Sequence, residues 1–330
     1  MKNKKAFEIS FTTLFAIIVG AAILVLAVYG AMKIGNNQRF TIDTEIAEKI
    51  LILTDPLQAG FAEGRHGEME FKQETRINNF CDDAGFGKND IGVSTKSNIG
   101  GDWVLVGGGV QTGGERVPVY NKYIFSRGKV QGKQFYVFSK PFYFPFKVSD
   151  LIFLTSNNEQ FCFISPPDNI DSELRGMGIP NIKVYDAANS SACPINSTRV
   201  CFGSGAGSCN VNVYGTCTTN CEGTYDEGYV EKKGIRYNYA NSLMYAAIFS
   251  EKDIYDCNVR RLMYRAARVS EVFAEKTDLM NARGCNSKMK ADLLTFAGFA
   301  MNATEKNVIA LNQVAKQVGS AQDLELCGVW

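Results

Sequence analysis

The stretch FTTLFAIIVGAAILVLAVYGAM, residues 11–32, carries no charged side chain and ends at Lys33. A helix rises about 1.5 Å per residue, so this stretch spans roughly 33 Å and can cross a hydrocarbon core about 30 Å thick. A helix is required, because lipid offers no hydrogen-bond partners to an open backbone. The sequence therefore predicts a single N-terminal transmembrane helix, with the anchor at residues 11–34.

Charge on the two sides of this stretch predicts its orientation. Lys2, Lys4 and Lys5 precede it and are opposed only by Glu8. Positive charge is retained on the cytoplasmic side, so residues 1–10 are predicted to be a cytoplasmic tail and the bulk of the chain to be extracytoplasmic. The competing interpretation is a cleaved secretory signal, whose apolar core is usually shorter and is followed by a small-x-small cleavage site. We favour an uncleaved anchor in the cell membrane.

The cysteines indicate that the bulk of the chain lies in an oxidising environment. All ten lie beyond the anchor: Cys81, Cys162, Cys193, Cys201, Cys209, Cys217, Cys221, Cys257, Cys285 and Cys327. An even number of cysteines outside a membrane indicates disulfides more readily than metal ligands. Zinc is the alternative for the five that lie between 193 and 221, but only the last two have the short spacing of a zinc pair. We predict at least one disulfide within that cluster, no metal site and no cofactor.

Three Asn-x-Ser/Thr triplets, at Asn189, Asn196 and Asn302, fall in the same predicted extracytoplasmic region and are candidate glycosylation sites. Beyond Lys33 the chain has 31 basic and 33 acidic residues. This near balance gives no reason to expect nucleic acid as a partner.

Small residues form one face of the predicted anchor. Ala16, Gly20, Ala27 and Ala31 fall within about 60° of one another on a helix that turns 100° per residue. Such faces let transmembrane helices approach closely, so these four are candidate helix–helix contacts. The alternative is the ordinary alanine and glycine content of membrane helices.

The first thirty residues also resemble a known class. Lys4, Lys5, Ala6 and Glu8 precede the long apolar helix in an order similar to the N-termini of archaeal single-pass surface proteins and, more loosely, of type IV pilin-like subunits. In pilins the glutamate is fifth after the cleavage point, whereas a cut after Ala6 would make Glu8 second. The resemblance implies an anchor helix that takes part in a pilus-like surface assembly.

The remaining chain predicts an α+β fold in three parts. Residues 35–56 form an amphipathic juxtamembrane helix, residues 57–235 a β-rich region, and residues 236–330 a helical bundle. Within the β-rich region, the run 161–185 predicts a small βαβ unit in an otherwise antiparallel region. The aromatic run at 135–146 is either core, which we favour, or an exposed platform for a ligand.

The helical part carries start signals and a charged stripe. Ser250-x-x-Asp253 predicts a capping box at the start of a long helix, and Thr304 predicts the N-cap of a later one. The long helix has a basic stripe, which we interpret as a solvated face, with anionic lipid or an acidic partner as the alternative. The stripe consists of Arg260, Arg261, Arg265 and Arg268.

One disulfide can be named from this helical order. Cys285 follows the long helix, and two roughly antiparallel segments later the chain returns near the same end with Cys327. Because bridged Cα atoms lie within about 7 Å, we predict a Cys285–Cys327 disulfide.

Catalytic signatures are weak in this sequence. His66 lies in a loop-like Gly-Arg-His-Gly, and Ser126-x-x-Lys129 has no accompanying Lys-Thr-Gly and is interpreted as a hairpin turn. The sequence leaves catalysis undecided and favours a non-enzymatic structural, assembly or interaction role, with the membrane and other surface proteins, or further copies of the chain, as partners. The alternatives are an envelope hydrolase acting on glycans or peptides, which needs converging carboxylates or a Ser/Lys pair, and a surface ligand receptor, which needs a deep pocket lined by the 135–146 aromatics.

Overall fold

We describe a computed structural model of the chain over residues 11–30, 66–96, 103–105, 116–203, 209–215 and 225–330. The chain divides into two compact units, Met1–Ala47 and Glu48–Trp330. In the first unit the described residues form helix α1, Phe11–Gly30, which is long and apolar enough to cross a membrane and has none of its apolar window buried. The predicted cytoplasmic tail and juxtamembrane helix lie outside the described residues.

The large unit, Glu48–Trp330, has an α+β architecture with two sheets and a C-terminal helical region, and this agrees with the predicted fold class. Its strands are β1 (His66–Asp82), β2 (Lys88–Lys96), β3 (Trp103–Leu105), β4 (Arg116–Tyr120), β5 (Tyr123–Phe125), β6 (Lys129–Tyr143), β7 (Lys147–Ser156), β8 (Phe161–Ile164), β9 (Ile182–Tyr185), β10 (Thr198–Phe202), β11 (Val211–Gly215), β12 (Glu227–Lys232) and β13 (Ile235–Ala240). Its helices are α2 (Asp168–Met177), α3 (Leu243–Phe249), α4 (Lys252–Ala282), α5 (Lys290–Ala300) and α6 (Val308–Asp323), with short 3-10 helices at Ala187–Ala192 and Glu305–Asn307.

The first sheet has seven strands in the order β3-β2-β1-β6-β7-β5, and β4 also pairs with β2. Its pairs are antiparallel except β5 with β7. Early in β1, Met69 and Phe71 face inward while Glu68 and Glu70 face solvent, the alternation that a two-residue period requires. Because β5 and β6 lie on opposite sides of β7, the segment between them is not the predicted hairpin turn.

The second sheet has six strands in the order β13-β12-β11-β10-β8-β9. The predicted βαβ unit is present as β8-α2-β9, with the two strands parallel. Strand β10 pairs in parallel with both β8 and β11. The prediction that the strands around this unit are antiparallel is therefore wrong for these two pairs. The β10-to-β11 connection is shorter than the dozen or more residues that parallel pairs usually need, and the Cys201–Cys209 disulfide closes it.

Helix α3 lies at the centre of the core. All seven of its residues are buried, which is the pattern of a helix surrounded by protein on every side. Its last residue, Phe249, packs against Phe138 and Phe153 of the first sheet, with ring centroids 5.4 and 6.0 Å away. The same ring packs against Phe161 and Phe163 of the second sheet at 4.8 and 6.1 Å. One aromatic side chain therefore joins the two sheets.

The aromatic run at 135–146 forms core, as the favoured interpretation predicts. The buried members are Phe135, Tyr136, Phe138, Phe142, Phe144 and Phe146. Tyr143 is the exception, with 51% of its surface exposed. Strand β6 therefore contributes packing to the core rather than a platform for a ligand.

The helical region follows the predicted order with two differences. The capping box predicted at Ser250 is wrong: Glu251 is the N-cap of α4, without a side-chain bond, and the Ser250 hydroxyl donates to the carbonyl of Ala246 at 2.5 Å. Thr304 does form a capping box, with Asn307. The second difference is in the basic stripe of α4, where Arg261 is fully buried rather than solvated.

Candidate functional site

Three members of the predicted helix–helix face lie on α1. Ala16, Gly20 and Ala27 are exposed, and a Cβ atom added to Gly20 would have no atom within 4 Å. Ala31 lies outside the described residues. A partner helix could therefore approach the backbone closely along this face.

The described cysteines form four pairs with Cα atoms 6.0 to 6.1 Å apart. The pairs are Cys81–Cys257, Cys162–Cys193, Cys201–Cys209 and Cys285–Cys327. The last is the pair named from the sequence, and Cys201–Cys209 lies within the predicted cluster. Cys217 and Cys221 lie outside the described residues. Among the residues that the structure describes, no group of three His, Cys, Asp or Glu could hold a metal ion.

The three candidate glycosylation sites lie at the surface. Asn189, in a 3-10 helix, and Asn302, just after α5, are both exposed. Asn196 is exposed two residues before β10. All three side chains are therefore accessible to a modifying enzyme.

His66 and Ser126, neither of which the sequence assigns as catalytic, both have structural partners. The Nδ1 atom of His66 donates to the carbonyl of Met177 at the end of α2 (2.9 Å), and its Nε2 atom lies 3.0 Å from a carboxylate oxygen of Glu68. The buried Ser126 hydroxyl donates to the carbonyl of Arg127 at 2.8 Å and accepts from the amide of Asn79. These contacts join α2 to the sheet and hold the β5–β6 connection.

A buried polar cluster joins α4 to the first sheet, and we call its members Asn79, Asn89, Asn258 and Arg261 the arginine cluster. The Arg261 guanidinium donates to the side-chain oxygens of Asn89 (2.6 Å) and Asn258 (2.7 Å). It also donates to the carbonyls of Phe86 and Lys122, each at 3.0 Å. Burial lowers the pKa of Arg261 to about 10, a value at which the guanidinium still carries its charge at neutral pH.

The asparagines complete the arginine cluster. The side-chain amides of Asn79 and Asn258 both donate to the carbonyl of Ile124 at 3.0 Å, and Asn89 donates to the Asn79 oxygen at 3.0 Å. The Cys81–Cys257 disulfide lies beside these contacts and joins the same two elements. Through these bonds the arginine cluster connects α4 to the first sheet.

A cavity of about 480 Å³ opens at the amino ends of the parallel strands β8, β10 and β11, and we call it the amino-edge cavity. Its volume is in the range of sites that hold small organic molecules. Phe161, Ile248 and Phe249, all buried, supply apolar lining. The polar lining includes Arg127, Asn196, Ser197, Asn210, Lys232 and Glu251.

Lys232, at the end of β12, places its ammonium group at the C-terminal end of α3. The Nζ atom donates to the carbonyls of Ile248 (3.4 Å) and Ser250, which are orphan acceptors at a helix end. It also lies 4.2 Å from the centre of the Tyr237 ring, a distance typical of a cation–π contact. Burial lowers the pKa of Lys232 from 10.5 to about 7.

An ion pair between Arg127 and Glu159 borders the amino-edge cavity. The Nε atom of Arg127 lies 3.1 Å from a carboxylate oxygen of Glu159, and Arg127 also donates to the hydroxyl of Thr198 at 3.2 Å. Burial raises the pKa of Glu159 to about 7, against the attraction of Arg127. Glu251 accepts the backbone N–H of Gly128 at 3.1 Å.

Ser197 is the one cavity-lining residue with a buried orphan atom. Its side chain is 6% exposed, and its Oγ atom has no hydrogen-bond partner among the residues that the structure describes. Buried polar groups are nearly always paired with protein or ordered water, so this covered hydroxyl, on a residue that lines the cavity, is an exception. The sequence contains no signal for this site, because Lys232-Lys233-Gly234 reads only as a turn and Ser197 only as the middle of a sequon.

A second cavity, of about 380 Å³, is lined by Tyr143, Asn241 and Asn312 among others. Its amides are already paired: Asn241 donates to the Tyr143 carbonyl at 3.2 Å, and Asn312 donates to Glu227 at 2.8 Å. The amino-edge cavity is therefore the stronger candidate for a ligand.

Compared with models of protein families, with curated proteins and with solved structures, this chain matches none.

Proposed function

We propose that this protein is a membrane-anchored extracytoplasmic component of a surface assembly, with α1 as both anchor and contact helix. The observation that carries the proposal is α1 itself, an uncharged helix whose apolar side chains are exposed. In water such a surface is unfavourable, whereas in a bilayer it is solvated by lipid, and its small-residue face then allows a second helix to approach.

The disulfides support an extracytoplasmic position for the large unit. Four disulfides persist in oxidising surroundings and are rare in the cytosol. The lysines before α1 favour a cytoplasmic N-terminus, and glycans at Asn189, Asn196 and Asn302 would then be on the outer surface. A pilus-like assembly is the form of partnership that the N-terminal resemblance suggests.

Orientation is tested by adding protease to right-side-out vesicles that contain the full chain. We expect digestion of the large unit and protection of a short N-terminal fragment that contains α1. Full protection of the large unit would mean that it lies on the cytoplasmic side of the membrane. Its disulfides would then lack the oxidising environment that the proposal assumes.

Assembly is tested by crosslinking full-length chains in membranes. Gly20→Ile places a branched side chain in the small-residue face, whereas Ala22→Ile makes a similar enlargement on the opposite side of α1. We expect crosslinking to fall at least fivefold in Gly20→Ile and to stay unchanged in Ala22→Ile. Equal crosslinking of the two variants would show that the face is ordinary membrane-helix composition.

A further inference from the structure

The amino-edge cavity has the form of a binding site that the chain itself does not fill. It lies between the start of three parallel strands, the β12–β13 hairpin and the end of α3, so its walls come from segments far apart in sequence. Phe161, Ile248 and Phe249 are each 3% exposed or less and form an apolar floor. A polar rim over an apolar floor suits a ligand with one polar end and one apolar end.

The charged residues of the rim indicate which sign of charge the polar end of the ligand carries. Arg127, Lys232 and Lys233 line the cavity, against one lining carboxylate, Glu251. Glu159 adds a second acidic group behind Arg127, but burial raises its pKa to about 7, so its opposing charge is incomplete at neutral pH. Burial also lowers the pKa of Lys232 to about 7, so its positive charge is incomplete as well. The net charge of these five groups is positive in every protonation state except the one with Lys232 neutral and Glu159 ionised, so the cavity on average attracts anions.

The orphan hydroxyl of Ser197 is covered in the free protein and would meet a ligand by turning about its Cα–Cβ bond. Of the buried side-chain atoms without a hydrogen-bond partner within the described residues, only Ser197 Oγ belongs to a residue that lines this cavity. A hydroxyl can donate to a carboxylate or phosphate oxygen, and such charge-assisted bonds are stronger than neutral ones. The same oxygen would meet the positive field of the rim.

We propose that the amino-edge cavity binds a small organic anion, with its charged group at Ser197 and the basic rim and its apolar body on the floor formed by Phe161, Ile248 and Phe249. This inference is independent of the assembly role of α1, because it rests only on residues of the large unit. It assigns a ligand class to a part of the molecule that the anchoring proposal leaves unused.

Matched pairs of probes test the sign of the charge. The full chain, made in a host without N-glycosylation so that Asn196 is unmodified, is placed in zwitterionic nanodiscs and titrated by calorimetry. The probes are 2-naphthoate against 2-naphthamide, octanoate against octanamide, and phenyl phosphate against phenol, with empty nanodiscs as the blank. We expect at least one anion to bind at a single site, at least tenfold more tightly than its neutral partner. Binding without anion preference in all three pairs, or no binding of any anion, overturns the proposal.

Variants then locate the bound anion. Ser197→Ala removes only the orphan hydroxyl, and we expect this variant to bind the anion about tenfold more weakly. The control is Ser172→Ala, on the exposed side of α2, where affinity should not change. Unchanged affinity in Ser197→Ala would place the anion elsewhere.

Lys233→Asn and Lys183→Asn separate the rim charge from a general loss of positive charge. Both lysines are exposed, and asparagine tolerates the positive φ of 51° at Lys233. We expect Lys233→Asn to lower the affinity for the anion three- to tenfold and to leave the affinity for the neutral probe unchanged. Lys183→Asn should change neither affinity. Equal effects of the two variants would mean that no defined site is present. Thermal unfolding of each variant, measured alongside, shows that its fold is intact.

Discussion

The arginine cluster and the amino-edge cavity both place charged and polar groups inside the large unit, but they differ in how those groups are paired. In the arginine cluster, Arg261 is fully buried and makes four hydrogen bonds to protein atoms. In the amino-edge cavity, Ser197 has a buried hydroxyl without a partner, and Lys232, which donates to the carbonyls of Ile248 and Ser250, also lines open space. Each nitrogen of the Arg261 guanidinium therefore has a protein acceptor, whereas one buried polar atom beside the cavity has none.

This difference separates structural polarity from functional polarity. A buried charge that is completely paired contributes to the specificity and rigidity of the fold, and removing it leaves its partners unpaired. A polar group without a partner costs stability in the free protein, and a ligand can recover that cost. The variants below test this contrast through the free energy of unfolding of the full chain in detergent, from the largest expected effect to the smallest.

Removing the disulfide beside each region should give the largest difference in the free energy of unfolding. Cys81–Cys257, at the arginine cluster, spans a sequence separation of 176, whereas Cys201–Cys209, next to the cavity residue Asn210, spans 8. Loop-closure entropy then predicts losses of roughly 5 and 2.5 kcal/mol for the two double alanine variants. Denaturant titration without reductant measures both. Equal losses would mean that native contacts, rather than the closed loop, determine the effect.

Arg261→Ala should lower the free energy of unfolding by at least about 3 kcal/mol, since it leaves Asn89 and Asn258 buried and short of donors. Arg268→Ala is the control, because Arg268 lies on the same helix, is exposed and pairs with Glu271 at 2.8 Å. The loss in Arg268→Ala should be much smaller than the loss in Arg261→Ala, because exposed ion pairs contribute little to stability. Similar losses in the two variants would refute a structural role for the arginine cluster.

The amino-edge cavity should make stability depend on pH in two opposite ways. Glu159 has a pKa raised from 4.5 to about 7, so the folded state retains a proton that the unfolded state loses, and stability falls as pH rises from 4.5 to 7. Lys232 has a pKa lowered from 10.5 to about 7, so the unfolded state holds the extra proton, and stability rises between pH 7 and 10.5. Arg127, Lys233 and Glu251 are the other charges that act on these two groups.

Unfolding titrations at a series of pH values check these slopes. Glu159→Gln should flatten the falling limb and leave the rising limb, and Lys232→Met should do the opposite. A variant that shifts the whole curve without changing either slope would contradict the assignment of that limb to its residue.

The smallest expected effect is at Ser197. Ser197→Ala removes an unpaired buried hydroxyl, so the free energy of unfolding should stay the same or rise by up to about 1 kcal/mol. Ser156→Ala is the matched control, because the buried Ser156 hydroxyl donates to the carbonyl of Gln131 at 2.7 Å. That variant should lose about 1 kcal/mol. A clear loss in Ser197→Ala would mean that its hydroxyl has a partner in the free protein.

The sequence by itself determined the features that depend on short stretches of chain. The uncharged run at 11–32 requires no other part of the molecule to mark a helix able to span a membrane. The βαβ unit and the start of the last helical segment at Thr304 also follow from local period and capping chemistry. The Cys285–Cys327 pair follows from helix order, since consecutive helices return the chain to the same end.

Only the tertiary structure decided what the polar residues do. Arg261 and Arg268 lie in one basic stripe, yet Arg261 is buried against the first sheet and Arg268 is exposed. The helical period predicts only the direction in which a side chain leaves the helix, and not which element packs against it. Ser197 and Lys232 meet at one cavity although 35 positions separate them in the printed sequence. Their environment arises from sheet order and from the end of α3, and these are properties of long-range packing that no local pattern encodes.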